Sequence, residues 1–228
     1  MPDIAHMDQL FLAKRRLDAD AYARPEITAR LSELRSWQAE RLARTYADLS
    51  HDPRCATAVN FFLTDLYGPQ DFTRRDDDFA RAWSRLKRGL PDAALEVLAR
   101  ALELQVLSAE LDQAMLQRLV AGPVTDLSYA DAYRAVGRAD ARRRQIDLVM
   151  SIGTDLARLV SFPLIGLALR VAHAPAHLAG FGALQDFLER GYDAFRRMGD
   201  PGALLGAIQS RETTLMQRLF AGNGDPFA

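Results

Sequence analysis

The chain has 228 residues, of which 49% are hydrophobic, and a formal net charge of −1. This length and composition suffice for a substantial buried core, and the balanced charge argues against a general nucleic-acid-binding protein. Cys55 is the only cysteine, so an internal disulfide and a cysteine-based zinc site are both excluded.

Helical periodicity dominates the first half of the chain. Pro25 begins a long helix whose apolar residues continue along one stripe to Leu49. Asp52 and Pro53 have the residue types of an N-cap and of a first helical position. Gly68 is suited to the C-cap of the helix that they begin. The predicted helices of this half are 4–17, 25–49, 53–66 and 73–88.

Pro91 begins the longest helical pattern, which continues to about Ala121. The pattern contains two apolar stripes, so we expect this helix to lie between neighbours near the centre of the fold. Gly137 interrupts the next pattern, and Pro163 should kink or break the one after it. The predicted helices of this half are 91–121, 128–136 with Ser128 as its N-cap, 140–171, 175–198 and 202–220.

No segment has the alternating run of Val, Ile and Thr that is typical of a strand. The sequence therefore predicts an all-α fold, a single multi-helix bundle of about eight to ten helices with long central helices. Short connections favour mostly antiparallel neighbours. We expect residues 1–221 to form this one domain and residues 222–228 to form a flexible tail.

The apolar run from Leu159 to Leu169 raises the question of a membrane span. Its eleven residues would extend about 16 Å as a helix, against about 30 Å for the hydrocarbon core of a bilayer. We therefore expect no membrane span and place the run in a central helix pair of the bundle. Residues 1–8 lack the basic and apolar regions of a signal peptide, which predicts a cytoplasmic location.

Candidate metal ligands are few. The histidines number four, and only His173 and His177 have the i, i+4 spacing of ligands on one helix. Pro175 lies between them and is expected to interrupt that helical turn. We therefore assign both histidines a structural or surface role, and we expect no metal ion and no cofactor.

No segment contains a recognisable catalytic or phosphate-binding motif. The nucleophile elbow and the glycine-rich phosphate loops are absent from the sequence, so no catalytic residue is assigned. Arg134, Arg138 and Arg142 recur every four residues and could form a basic ridge. Asp131 and Asp140 are interspersed with them, so we expect a solvated, partly ion-paired face and no nucleic-acid partner.

The segment from Phe61 to Asp76 is the most specific part of the sequence, since it combines aromatic residues, Gly68-Pro69 and a cluster of Arg and Asp. One interpretation is a structural corner in which Arg74 or Arg75 is held by a carboxylate or by helix-end carbonyls. The alternative is the rim of a pocket for an anionic ligand. Its candidate binding residues are Tyr67, Asp71, Arg74 and Arg75.

Two further segments accompany this motif: residues 184–195 (Leu-Gln-Asp-Phe-Leu-Glu-Arg-Gly-Tyr-Asp-Ala-Phe) and Arg211-Glu212. Together with Phe61–Phe72 and Arg74-Arg75-Asp76, they make the chain resemble a family of uncharacterised, all-helical proteobacterial proteins. The resemblance implies a helical fold and no particular activity.

Three functions follow from these observations as hypotheses. The first is a non-enzymatic helical protein that acts through a protein-interaction surface, as a homodimer or with another protein partner. Long helices with two apolar stripes often leave one stripe for a partner, and two-fold dimers are the commonest closed assembly. The second is a binding module for an apolar or amphipathic small molecule near Leu159–Leu184. The third is an enzyme with a dispersed site.

Overall fold

The computed structural model describes residues 4–66, 77–83, 90–222 and 224–227. These residues contain eleven helices and no strand, which confirms the predicted all-α, single-domain fold. The helices are α1 (Ile4–Tyr22), α2 (Pro25–Thr45), α3 (Ala47–Ser50), α4 (Ala56–Phe61, continued by a π-helical turn over Phe62–Leu66), α5 (residues 77–83), α6 (Asp92–Leu116), α7 (Asp126–Val136), α8 (Ala139–Val160), α9 (Pro163–Leu178), α10 (Gly182–Met198) and α11 (Gly202–Ala221).

The longest helix, α6, is central as its two apolar stripes predicted. It packs against α1 and α8 most extensively and also against α2 and α7. Leu95 and Leu102 are buried on the side where Met7 of α1 and Trp83 of α5 complete a hydrophobic cluster. Met115, at the other end of α6, belongs to a second cluster with residues of α2, α7 and α11.

The second cluster contains the aromatic centre of the fold. Trp37 of α2 stacks on Tyr129 of α7 at a centroid distance of 4.0 Å. Phe227, from the segment predicted to be a flexible tail, meets Trp37 edge-on at 5.4 Å. A third cluster joins Tyr46 and Cys55 to Leu205 of α11. Burial raises the pKa of the Cys55 thiol, which disfavours the reactive thiolate and leaves the side chain a packing role.

Several predicted helix boundaries are corrected by the structure. α1 continues to Tyr22 and thus extends beyond the predicted residues 4–17. α4 begins at Ala56 and not at Pro53, because Asp52 accepts a hydrogen bond from the backbone of Arg54 in a turn before the helix. α7 is capped by Thr125, whereas Ser128, the predicted N-cap, occupies the third helical position and completes a capping box.

The largest corrections concern α9. Pro163 does separate two helices, as predicted, and α8 and α9 meet at an angle of 85°. Pro175, by contrast, does not begin a helix: α9 continues through it to Leu178, and the turn to α10 comes at Gly180, whose φ is +79°. The predicted central position is also wrong, because Gly166 is the only buried residue of α9.

A helix must be both long and apolar to cross a bilayer. No single helix among the described residues meets this requirement, and α8 with α9 meet it only when the bent pair is taken together.

Candidate functional site on the α9–α10 hairpin

α9 is attached to the body of the protein mainly through α10. In this contact Gly166 lies against the phenol ring of Tyr192, and a Cβ atom at position 166 would be 2.6 Å from Cζ of that ring. The absence of a side chain at Gly166 thus permits the close approach of the two helices. The inward side of α9 is otherwise formed by half-buried residues, namely Ile165, Leu169, Ala172 and Ala176.

The opposite side of α9 is apolar and exposed. Four large side chains on this side are exposed to solvent: Leu164 (75%), Leu167 (51%), Val171 (69%) and Leu178 (90%). The exposed Ala174 lies among them. Their spacing of three, four, three and four residues is the a and d pattern of a heptad repeat. These five residues are called the α9 outer face below. Such a face is normally buried against a second helix.

The edge of α9 next to α10 contains two histidines. His173 and His177 lie on consecutive helical turns with their ring centroids 4.5 Å apart. Nδ1 of His173 is 3.0 Å from both carboxylate oxygens of Glu189 on α10. Nε2 of His177 is 2.9 Å from Oδ1 of Asp186. We call these four residues the His/acid cluster.

The described residues around the cluster hold its members in position. Gln185, which is buried, donates through Nε2 to the backbone carbonyl of Leu169 and to Oε1 of Glu189. Gly182 leaves room for the ring of His177, since a Cβ there would be 2.8 Å from Nδ1. The expectation that Pro175 interrupts the helical turn between the two histidines is therefore wrong. The i, i+4 spacing of His173 and His177 was the sequence feature that indicated their proximity.

The candidate residues named from the sequence, Tyr67, Asp71, Arg74 and Arg75, lie outside the described residues. The part of the same motif that the structure describes contacts the second motif, residues 184–195, as three pairs of residues show. Phe61 packs on Phe187 at a centroid distance of 5.4 Å, Asp65 accepts hydrogen bonds of 2.8 and 2.6 Å from Arg190, and the ring of Phe61 lies over Gly191.

The third segment, Arg211-Glu212, connects α11 to α2 and α3. Glu212 accepts hydrogen bonds from Nη1 of Arg41 at 2.6 Å and from the hydroxyl of Tyr46 at 2.8 Å. Burial, followed by the nearby Glu212 carboxylate, raises the pKa of the Tyr46 phenol. Arg211 forms a two-pronged ion pair with Asp48, both distances being 2.7 Å, and these hydrogen bonds lower the pKa of Asp48 to about 2.

A cleft of about 390 Å³ lies beside this network, with arginines along its walls. Arg41, Arg44 and Arg211 each form an ion pair with a carboxylate, so most of the positive charge is already balanced. The cleft is therefore a poorer candidate for anion binding than its arginine content suggests.

The three arginines spaced four residues apart do not form a basic ridge. Arg134 is paired with Asp131, and Arg138 lies 3.4 Å from a carboxylate oxygen of Glu110. The prediction of a solvated face is wrong for Arg142, which is buried with its guanidinium 4.4 Å from the ring centroid of Tyr133. Its side chain thus serves packing within the bundle.

Comparison with known proteins gives a family and no activity. The model of the family described as "Domain of unknown function (DUF8198)" matches residues 18–226, and the chain belongs to this family. No curated protein and no solved structure matches the chain. The membership is consistent with the expected assignment to a family of uncharacterised helical proteins.

Proposed function

We propose that this member of the DUF8198 family acts through a protein-interaction surface, and that the α9 outer face joins two copies of the chain into a homodimer. The observation that supports the proposal is the heptad spacing of five exposed apolar residues on a helix that buries only one residue. A two-fold dimer would pack each α9 against its copy, so that each outer face covers the other.

The apolar area on the α9 outer face is large enough for its burial to offset the cost of association. The exposures of Leu164, Leu167, Val171 and Leu178 together equal almost three fully exposed side chains. Burying them would contribute roughly 4–9 kcal/mol per copy, at about 1.5–3 kcal/mol for each side chain. Two copies double this contribution to roughly 8–18 kcal/mol, a range that overlaps the association cost of about 4–15 kcal/mol.

The other two hypotheses have less support. A small apolar ligand near Leu159–Leu184 would need an enclosing pocket, whereas the large apolar side chains of α9 face outward. An enzyme with a dispersed site is supported by no specific arrangement of the residues described above. The proposal retains a bacterial origin and a cytoplasmic location, with α9 covered by a protein and not by lipid.

The decisive experiment places a charge on the α9 outer face. Wild-type protein, Val171→Asp and Leu127→Asp are compared by sedimentation velocity over micromolar concentrations. Leu127, on α7, is 72% exposed against 69% for Val171, so it is a matched control on another surface. We expect dimers for the wild type and for Leu127→Asp, and a monomer for Val171→Asp, because a buried charge at the seam would be unpaired.

Two results would contradict the proposal. One is a wild type that remains monomeric at every concentration tested. The other is a dimer that survives Val171→Asp, which would place the interface elsewhere on the molecule.

A further inference from the structure

We propose that the His/acid cluster is a binding site for a divalent transition-metal ion of the zinc type. The ligands would be His173 and His177 of α9 and Asp186 of α10, with Glu189 orienting His173. This site goes beyond the proposed interaction surface and does not depend on it, because all four residues belong to one copy of the chain.

The spacing of the donor atoms fits a metal ion. One ring nitrogen of each histidine and one oxygen of Asp186 all lie within 4.8 Å of one another. Zinc binds nitrogen and oxygen donors at about 2.0–2.2 Å, so neighbouring donors of a tetrahedral site are about 3.3–3.5 Å apart. The 2.9 Å between Nε2 of His177 and Oδ1 of Asp186 lies below this separation and the 4.8 Å limit lies above it, so side-chain rotations are needed to bring all three donors onto one ion.

The surrounding residues have the arrangement that metal-bound histidines need. A metal-bound imidazole usually donates its second N–H group to a carboxylate, which fixes the ring and raises its basicity. Glu189 occupies that position at Nδ1 of His173, leaving Nε2 of this ring for the ion. Gln185 in turn donates to Glu189, so the carboxylate is itself held in place.

The donor types and their exposure determine the kind of ion. Two imidazoles and a carboxylate suit zinc, nickel or copper, whereas magnesium and calcium prefer oxygen donors throughout. The side chains of His173, His177 and Asp186 are 51%, 41% and 41% exposed, so an ion can enter from solvent. Three protein ligands leave a fourth tetrahedral position for water or for a donor from a partner.

The test is a titration of untagged, metal-free protein with Zn²⁺ by calorimetry, supported by the visible absorption of Co²⁺ as a probe of tetrahedral coordination. We expect one ion per chain, and binding lost in His173→Ala, His177→Ala and Asp186→Asn. Glu189→Gln should weaken binding by roughly 10- to 100-fold, as loss of an orienting carboxylate does. His51→Ala is the control, since His51 is exposed in a different region and should leave the affinity unchanged.

Stability provides a second measurement that is independent of the calorimetric signal. Zn²⁺ should raise the unfolding temperature of the wild type and of His51→Ala, and not that of His177→Ala, because a ligand stabilises only a fold that contains its site. Circular dichroism of each variant checks that it remains helical. Failure of the wild type to bind Zn²⁺, or equal affinity in the wild type and a His173→Ala/His177→Ala double variant, would overturn the proposal.

Discussion

The buried ion pair of Glu212 is expected to contribute far more to stability than the exposed ion pair of its neighbour Arg211. The Glu212 carboxylate binds Arg41 and Tyr46, whose side chains are largely withdrawn from solvent: the Arg41 side chain is 12% exposed and Tyr46 is 1% exposed. Glu212→Ala would leave a buried guanidinium without its carboxylate and a buried phenol without its acceptor. Nε of Arg41 has no hydrogen-bond partner among the described residues even in the wild type.

The magnitude follows from this burial. Removing one member of a buried ion pair costs about 3–5 kcal/mol, mainly because the remaining charge is unpaired. The Glu212 side chain is 19% exposed, so water can partly replace it. We therefore expect Glu212→Ala to lower the free energy of unfolding by about 3 kcal/mol, at the lower end of that range. Glu212→Gln should cost less, since both hydrogen bonds go to Oε1 and an amide oxygen at that place can still accept them.

Urea unfolding followed by circular dichroism measures the difference. The matched control is Asp48→Ala, which removes the partner of the adjacent residue Arg211. That pair is exposed to solvent, with 60% of the Asp48 side chain and 34% of the Arg211 side chain accessible. Exposed pairs contribute little, so its urea midpoint should stay close to that of the wild type. Equal midpoints for Glu212→Ala and Asp48→Ala would refute the argument from burial.

Two further predictions concern packing and pH. Gly166→Ala should destabilise the protein by about 1–3 kcal/mol in urea unfolding, because its methyl group would overlap the ring of Tyr192. Gly206, which lies in α11, is the control: a methyl group there would have no neighbouring atom within 4 Å, so Gly206→Ala should stabilise the protein by about 0.4–1 kcal/mol. Burial raises the pKa of Tyr46 and of Tyr133 above the unfolded value of about 10. The contribution of these two tyrosines to the unfolding free energy should therefore be constant below pH ~10 and fall above it, and Tyr133→Phe should reduce that fall.

Helix boundaries could be predicted from the sequence wherever backbone chemistry decides them. Pro25, Pro91 and Pro163 each stand at or beside the first residue of a helix, and Gly199-Asp200-Pro201 separates α10 from α11. These residues act through their own dihedral preferences, which do not depend on tertiary packing. The same local chemistry misplaced the start of α4, because Asp52 caps a turn with equal ease.

Pro175 shows where such local rules fail. A proline inside a helix removes one hydrogen bond and costs about 3 kcal/mol or more, which favours a boundary. Here the apolar and small residues on both sides of Pro175 keep the helix packed on α10, and Gly180 is better suited to the turn because it adopts a positive φ. The sequence alone does not show which of two nearby breaks the tertiary contacts will select.

The long-range polar pairs were beyond sequence reasoning for a different reason. Asp65 with Arg190 and Glu212 with Arg41 join residues far apart in the chain, and the sequence contains many other carboxylates and arginines. Spacing along one helix identifies neighbours only within that helix. The motifs did indicate two segments that meet, since Phe61 and Asp65 contact residues of 184–195, but they did not indicate which atoms meet.

The two candidate functions of the hairpin have a common structural cause. α9 approaches α10 closely at Gly166, and Ala172 and Ala176 also lie on its inward side, since helix separation depends on the side chains at the contact. The large residues Leu164, Leu167 and Val171 lie on the outer face. The same close approach brings His173 and His177 within hydrogen-bond distance of carboxylates on α10. An apolar helix packed closely on its neighbour thus produces both an uncovered apolar face and a set of candidate metal ligands along its edge.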